Sequence, residues 1–267
     1  MTSVTMTSID TRRGRIGIGE AGGGEDLPII FLHGVGSDKR VWASQLAHFG
    51  RQRRALAFDY PGYGESEFIE RATRDDYADA MVAAMDALSI ERAHVCGLSL
   101  GGVIAIAMHA AAPARCASLI IADSFAVHPD GQGIHDRSVA ASRAMGMRAL
   151  AEARSGFLLG SSASDALRAE VIDTMAGIDP AAYRLGAEAV WLADQRERAS
   201  AIDVPTLILV GREDVITPPA LSGELGALIQ GSRVEMINAA GHLSNAEQPE
   251  MFNETVDRFL SEIERQS

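Results

Sequence analysis

Basic residues are scarce in this 267-residue chain, where 24 lysines and arginines face 36 aspartates and glutamates and the formal net charge at pH 7 is −12. Such a surface repels both nucleic acid and anionic membranes, so neither is an expected partner. Lys39 is the single lysine among many arginines, which reads as codon bias and carries no functional meaning at this stage. Cysteine is limited to Cys96 and Cys116, each inside an apolar stretch that reads as strand. Two buried thiols are expected there, not a disulfide framework or a metal site. No apolar run reaches bilayer length, and residues 1–15 lack the basic-then-apolar order of a secretory leader. These absences set the expectation of a cytoplasmic protein without a metal site, whose partner is a small molecule. They leave a homo-oligomer open.

What the chain does have is an apolar fraction of 47%, enough for one large domain or a domain with an insertion. After a polar start and a glycine run at residues 22–24, read as a hairpin or loop tip, short apolar runs at 28–32 (PIIFL) and 54–58 (RALAF) predict strands. Each empties into a glycine-rich loop. A helix is predicted over 75–88, with Thr73 and Asp76 as a capping box. A strand at 93–96, a helix at 100–112 and a strand at 117–122 follow, and this alternation is that of a parallel sheet with crossover helices. From 124 to 194 no strand is predicted, only short helices rich in Ala, Arg and Met. We read this stretch as a helical cap inserted into a core of residues 1–123 and 195–267. The core resumes with strands at 205–210 and 233–237, a helix at 220–229 between them, and a closing helix ending near 264.

The stretch His94-Val-Cys-Gly-Leu-Ser-Leu-Gly-Gly changes period in its middle, from strand-like to helical, with Ser99 on the corner. A strand that turns at once into a helix needs small neighbours at Gly97 and Gly101, and it leaves the serine strained at the helix N-terminus, as in a nucleophile elbow. The alternative is that Ser99 only caps the helix. In an open parallel sheet, the loops after successive strands converge. That rule brings Asp214, in the loop after 205–210, and His242, in the loop after the last strand, toward Ser99. A serine hydroxyl needs an imidazole to take its proton, and the imidazole needs a carboxylate to fix its tautomer. Asp123 and Glu213 compete with Asp214 for the last role. His33 is expected to order its loop, and His48, His94, His109, His128 and His135 to be surface, helix or cap residues. The amides of Val35 and Leu100 are placed to form an oxyanion hole.

The motifs FLHGVG, FDYPGYGES, GLSLGG, GREDVITPP and AGHLSNAEQP occur in this order. With them the chain resembles the α/β-hydrolase superfamily, and within it the bacterial 3-oxoadipate enol-lactonases, which open an enol-lactone ring in aromatic catabolism. The resemblance implies the α/β-hydrolase fold, Ser99, Asp214 and His242 as the triad, the Val35 and Leu100 amides as the oxyanion hole, a helical cap and no cofactor. Siblings with aspartate at the position of Ser99, or tryptophan at that of Leu243, fit less well. One departure lies in the last cap helix, GAEAVWLADQRERA, where enol-lactonases read more like CCAAIRDAD. Trp191 there, with Phe125, is a candidate to shape the substrate pocket; plain cap packing is the alternative for Trp191. The expected activity is hydrolysis of a small carboxylic ester or lactone, with a general carboxylesterase or a ligand-binding receptor on the same fold as alternatives. A substrate with its own carboxylate would need a local cation, for which Arg137, Arg143, Arg148 and Arg184 are candidates.

Overall fold

A computed structural model describes residues 3–265. Its strands are β1 (Val4–Thr11), β2 (Gly14–Ala21), β3 (Ile29–Leu32), β4 (Ala55–Phe58), β5 (Ala93–Leu98), β6 (Cys116–Ala122), β7 (Thr206–Gly211) and β8 (Arg233–Ile237). They form one sheet in the order β1-β2-β4-β3-β5-β6-β7-β8. All pairs from β4 onward are parallel, whereas β1 and β2 pair antiparallel with each other and β2 with β4. The helices are α1 (Ala43–Phe49), α2 (Arg74–Ala87), α3 (Leu100–Ala111), α4 (Gly131–Leu158), α5 (Asp165–Ala176), α6 (Pro180–Trp191), α7 (Arg196–Ser200), α8 (Pro219–Leu228), α9 (Ser244–Glu247) and α10 (Pro249–Glu264). Among the described residues no helix is long and apolar enough to cross a membrane.

The parallel strands are short, apolar on both faces and buried throughout from β3 to β7, as strands covered by helices on two sides must be. Two apolar layers result. One holds α2 and α3 against β5 and β6, and the other holds α1 and α10 through Trp42, Phe49, Phe252 and Phe259. α10 shows the spacing of a one-sided helix, burying Phe252, Val256, Phe259 and Leu260. α2 begins with the expected capping box, in which the Thr73 hydroxyl accepts from the Asp76 amide and the Asp76 carboxylate accepts from the Thr73 amide.

Three features differ from the sequence reading. The polar start is the β1–β2 hairpin: β1 is largely exposed at the sheet edge and β2 carries glycines, so neither shows an apolar run. Gly17 is required by proximity, because a Cβ there would lie 2.3 Å from a carboxylate oxygen of Asp59. The glycine run at 22–24 is a loop leading to β3 and not the hairpin tip, which falls at Arg12 and Arg13. Between β6 and β7 the chain forms one long helix, α4, broken where Gly146 takes φ 78°, followed by α5 and α6. A single bridge between Val127 and Asp194 closes the base of this excursion.

α3 runs along the centre of the sheet and is buried from Leu100 through His109. Its glycines and alanines let it approach closely. A Cβ on Gly101 would lie 2.1 Å from the Leu32 carbonyl oxygen, and one on Gly97 would lie 2.1 Å from the Gly101 carbonyl oxygen. Neither obstacle is a side chain that can swing aside. Gly97→Ala is therefore expected to destabilise the fold by about 3 kcal/mol or more, the upper range for overpacking a filled interior. Equilibrium urea unfolding of the variant beside the parent measures it, and a loss below about 1 kcal/mol would show that the corner can relax.

Candidate active site

Ser99 stands between β5 and α3 with φ 56° and ψ −113°, outside the regions a side chain ordinarily allows. Its hydroxyl makes no capping bond to the helix it precedes, which removes the bland alternative. The oxygen instead lies 2.9 Å from Nε2 of His242. Gly34 packs beside it, a Cβ there being 3.5 Å from the Ser99 Cβ.

His242 reaches this position on the loop between β8 and α9, and its Nδ1 donates to Oδ2 of Asp214 at 2.8 Å. Asp214, four residues after Val210, is saturated on both oxygens. Oδ1 accepts from the amides of Ile216 (2.8 Å) and Thr217 (2.9 Å), and Oδ2 accepts from the Thr217 hydroxyl at 2.6 Å. Thr217, completely buried, was not singled out from the sequence. A buried carboxylate needs such donors, and the Asp-Val-Ile-Thr spacing supplies them from one turn.

The two competing acids are turned elsewhere. Asp123 also ends a strand, with φ 47°, but its carboxyl group accepts from the Gly211 amide at 2.7 Å and pairs with the Ser244 hydroxyl. Glu213 accepts from the Ser161 amide. Burial opposes charge on both buried aspartates, yet they end up in different states. Asp214 is held below the usual carboxylate range because His242 and Thr217 more than offset the burial. Asp123 is pushed up to about 8, first by burial and then by the charge of Asp214. Burial also favours a neutral His242, but the charge and hydrogen bond of Asp214 outweigh it and raise the imidazole pKa above its ordinary value.

The other histidines are occupied structurally. His33, fully buried, donates from Nδ1 to the Gly34 carbonyl at 2.8 Å and packs its ring on Tyr60 and Tyr63. His94 is held between Ser118 and Glu264, with burial and Arg53 lowering its pKa to about 4. His48, His109 and His135 pair with Asp257, Asp203 and Asp136, and His128 sits against the Ile216 carbonyl. Lys39, given no role from the sequence, is buried and bridges Asp59 and Glu65 at 2.7 and 2.8 Å. It ties the loop after β3 to the loop after β4.

A cavity of about 210 Å³ opens over Ser99 and His242, walled below by residues 34–37 and above by α4, α5 and α6. Val35 lines it, and Leu100 supplies the first amide of α3, one of the donors left without an intrahelical partner. Trp191 lines the cavity as well and stacks on Phe125, with ring centroids 5.9 Å apart and planes at 14°. Its ring therefore both packs on Phe125 and forms part of the cavity wall. Phe125 does not reach the cavity wall; it is wholly buried behind Trp191, and the pocket role expected for it is withdrawn. The four arginine candidates do not line the cavity either. Arg137 and Arg148 pair outside it with Asp130 and Asp173, and Arg184 donates to the Pro180 carbonyl. Arg40 and Arg154 line it instead. Sequence reasoning missed Arg154 because nothing in an alanine- and arginine-rich helix marks which face meets the core. No group of three histidine, cysteine, aspartate or glutamate side chains is placed to hold a metal among the described residues.

Residues 28–249 match the alpha/beta hydrolase fold family. The chain is 31% identical to 3-oxoadipate enol-lactonase 1 of Acinetobacter baylyi, over 99% of its own length and 100% of that protein's. Two solved structures are also similar. The enol-lactonase from Burkholderia xenovorans LB400 superposes with a TM-score of 0.89 at 27% identity, covering 96% of this chain and 100% of that one. A thermophilic esterase from Thermogutta terrifontis, solved with malate bound, gives 0.87 at 26% identity, covering 97% and 99%.

Because Asp214 raises the imidazole pKa, an NMR titration of His242 is expected to show its midpoint above 6.5 in the parent protein. Asp214→Asn removes the charge that favours the imidazolium, so the midpoint should fall. A parent midpoint at or below that of an exposed histidine would contradict the electrostatics described.

Proposed function

The chain belongs to the alpha/beta hydrolase fold family, and from that premise we propose that it is a serine hydrolase of small carboxylic esters or lactones, with an enol-lactone as its substrate. The observation that supports this is the unbroken hydrogen-bond line from Ser99 Oγ through His242 to Asp214, at 2.9 and 2.8 Å, with Ser99 and His242 lining a cavity of about 210 Å³. In this reading His242 takes the Ser99 proton as the oxygen attacks the lactone carbonyl, and Asp214 stabilises the imidazolium that forms. The Val35 and Leu100 amides hold the tetrahedral oxyanion. Collapse breaks the ring carbon–oxygen bond, His242 returns the proton to the enol oxygen, and the tethered enol becomes a ketone. Water, deprotonated by His242, then releases the acid from Ser99.

The likeness to lactonases along the whole chain supports the ring-opening form of the reaction. The likeness to the Thermogutta terrifontis esterase supports the second reading, a carboxylesterase that accepts open-chain esters. Rates on an enol-lactone and on aryl esters of matched acyl size separate the two. A receptor with no turnover is separated from both by mass spectrometry after a fluorophosphonate, which labels only an activated serine.

Ser99→Ala is expected to lower kcat at least about a thousandfold without loss of the folded state, because only binding and the oxyanion donors remain. Near-parental turnover in that variant would remove Ser99 from the mechanism. Asp214→Asn should lower kcat up to about ten-thousandfold, since the wrong tautomer faces the serine. Asp123→Asn, already close to the neutral state of the residue it replaces, should do far less. A reversal of those two effects would assign the acid to Asp123.

A further inference from the structure

The His242 imidazole is held by Asp214 and Ser99, and the main chain that carries it is held as firmly. Three successive amides donate to fixed acceptors: Gly241 and Leu243 to Oε1 of Glu247, at 2.9 and 3.3 Å, and His242 to the Leu158 carbonyl at 2.9 Å. The second oxygen of Glu247, Oε2, accepts from the Gly160 amide at 2.7 Å. One half-buried carboxylate thus joins both flanks of His242 to the residues that follow α4.

The plain alternative is that Glu247 only caps α9, because Leu243 is the residue at the N-terminus of that helix. The two shorter bonds argue otherwise. They go to Gly241, two residues before the cap, and to Gly160, 87 residues away in the chain. At both places backbone meets backbone: a Cβ on Gly241 would lie 2.5 Å from the Gly160 nitrogen, and one on Gly160 would lie 2.8 Å from the Gly241 nitrogen and 3.0 Å from Oε2 of Glu247. Two N–H groups therefore converge where only main chain fits, and they need an acceptor-only group between them. Burial raises the pKa of Glu247, and the three amides oppose the rise.

From this arrangement we infer that Glu247 is a positioning residue for the reaction: through the amides on either side of His242, and with the end of α4 as its anchor, it sets where Nε2 stands relative to the Ser99 hydroxyl. This rests on the hydrolase reading above. Nε2 and Oγ are 2.9 Å apart, and proton transfer depends steeply on such a distance, a misplacement of about 1 Å costing about a hundredfold in rate. Glutamine has nearly the shape of glutamate but carries a donor in place of one oxygen. Whichever way its amide turns, a donor meets a donor, either at the histidine loop or at Gly160.

The test uses Glu247→Gln in the full chain, with Ser162→Ala as a control that removes a different bond between the same two segments, from the Ser162 hydroxyl to the Ala239 carbonyl. Glu247→Gln should slow the labelling of Ser99 by a fluorophosphonate and lower kcat on 4-nitrophenyl butyrate about 10- to 100-fold, with KM changed less than about threefold. The NMR midpoint of His242 should fall, because the imidazole no longer lies squarely on Asp214. Ser162→Ala should leave labelling and kcat within about threefold of the parent and the midpoint unchanged. If Glu247 only braces the fold, urea unfolding of Glu247→Gln shows lost stability while the labelling rate, kcat and His242 midpoint of the folded variant match the parent, and the inference is overturned. A Ser162→Ala variant slowed as much as Glu247→Gln overturns it as well. Should the parent neither cleave the ester nor be labelled, the hydrolase reading alone fails and the midpoint decides: a fall in Glu247→Gln but not in Ser162→Ala supports the positioning role, and no change overturns it. Should Glu247→Gln not fold, Glu247→Asp, a carboxylate one methylene too short to span both loops, decides in the same assays.

Discussion

Backbone pressed against backbone at the turn from β5 into α3 is the constraint on which this site depends. The Leu32 carbonyl of β3 and the Gly101 carbonyl occupy the space that Cβ atoms on Gly101 and Gly97 would need. With those contacts made, the chain has no unstrained route through residue 99, and Ser99 takes a left-handed φ of 56°. Such a conformation costs about 1 to 3 kcal/mol and persists only where its surroundings over-determine it. The completely buried strands on both sides of β5 and the buried length of α3 do so. The strain has a geometric result, in that the hydroxyl is lifted off the helix terminus it would otherwise cap and is turned toward His242.

Electrostatics near that hydroxyl are settled by a division of states between two neighbouring carboxyl groups. Both Asp123 and Asp214 are buried at the ends of adjacent strands, and two charges there would repel across a medium that screens poorly. Donors decide which one is ionised. Asp214 collects two amides, the Thr217 hydroxyl and the imidazole, whereas Asp123 has one amide and the Ser244 hydroxyl. The single charge therefore sits next to the imidazole. Two carboxyl groups of the same kind at equivalent positions are told apart by the turn that follows β7, not by their place at a strand end.

This explains which parts of the molecule could be read in advance. Strands β3 to β7 follow from apolar runs ending in loops, because burial on both faces leaves a composition that little else produces. Helices α2, α3, α8 and α10 and the loops bearing Ser99, Asp214 and His242 follow from the alternation around them, whereas α1 was not read from the sequence and β8, largely exposed, carries only a short run. Asp123 and Asp214 were both admissible at that level, since the hydrogen bonds that separate them come from Thr217, Ser244 and the Gly211 amide. The β1–β2 hairpin was hidden by exposure in one strand and glycine in the other. Lys39 was hidden because its partners, Asp59 and Glu65, lie beyond a strand in the chain. Arg154 and Phe125 show the limit for side chains of the excursion between β6 and β7. Helical spacing gives a face, but which face meets the cavity depends on packing against α5, α6 and the loop at Gly34, which no local pattern records.

The excursion is nevertheless not loosely attached to the site it covers. The His242 amide donates to the Leu158 carbonyl at the end of α4, the Ser162 hydroxyl donates to the Ala239 carbonyl, and one carboxylate, Glu247, accepts from the amides of both Gly160 and Gly241. The last turns of α4 and the histidine loop are thereby a single hydrogen-bonded unit. Gly146, with its left-handed φ and no neighbour within 4 Å of its Cβ position, separates this arm from the first half of the helix. Arg154 lies on the anchored arm, one helical turn before Leu158. It is thereby carried on the same segment whose backbone accepts from the His242 amide. The end of α4 and the imidazole beside the serine are in this way referred to one hydrogen-bonded segment, and the half of α4 before Gly146 stays tied to it through the Arg154–Ser138 hydrogen bond.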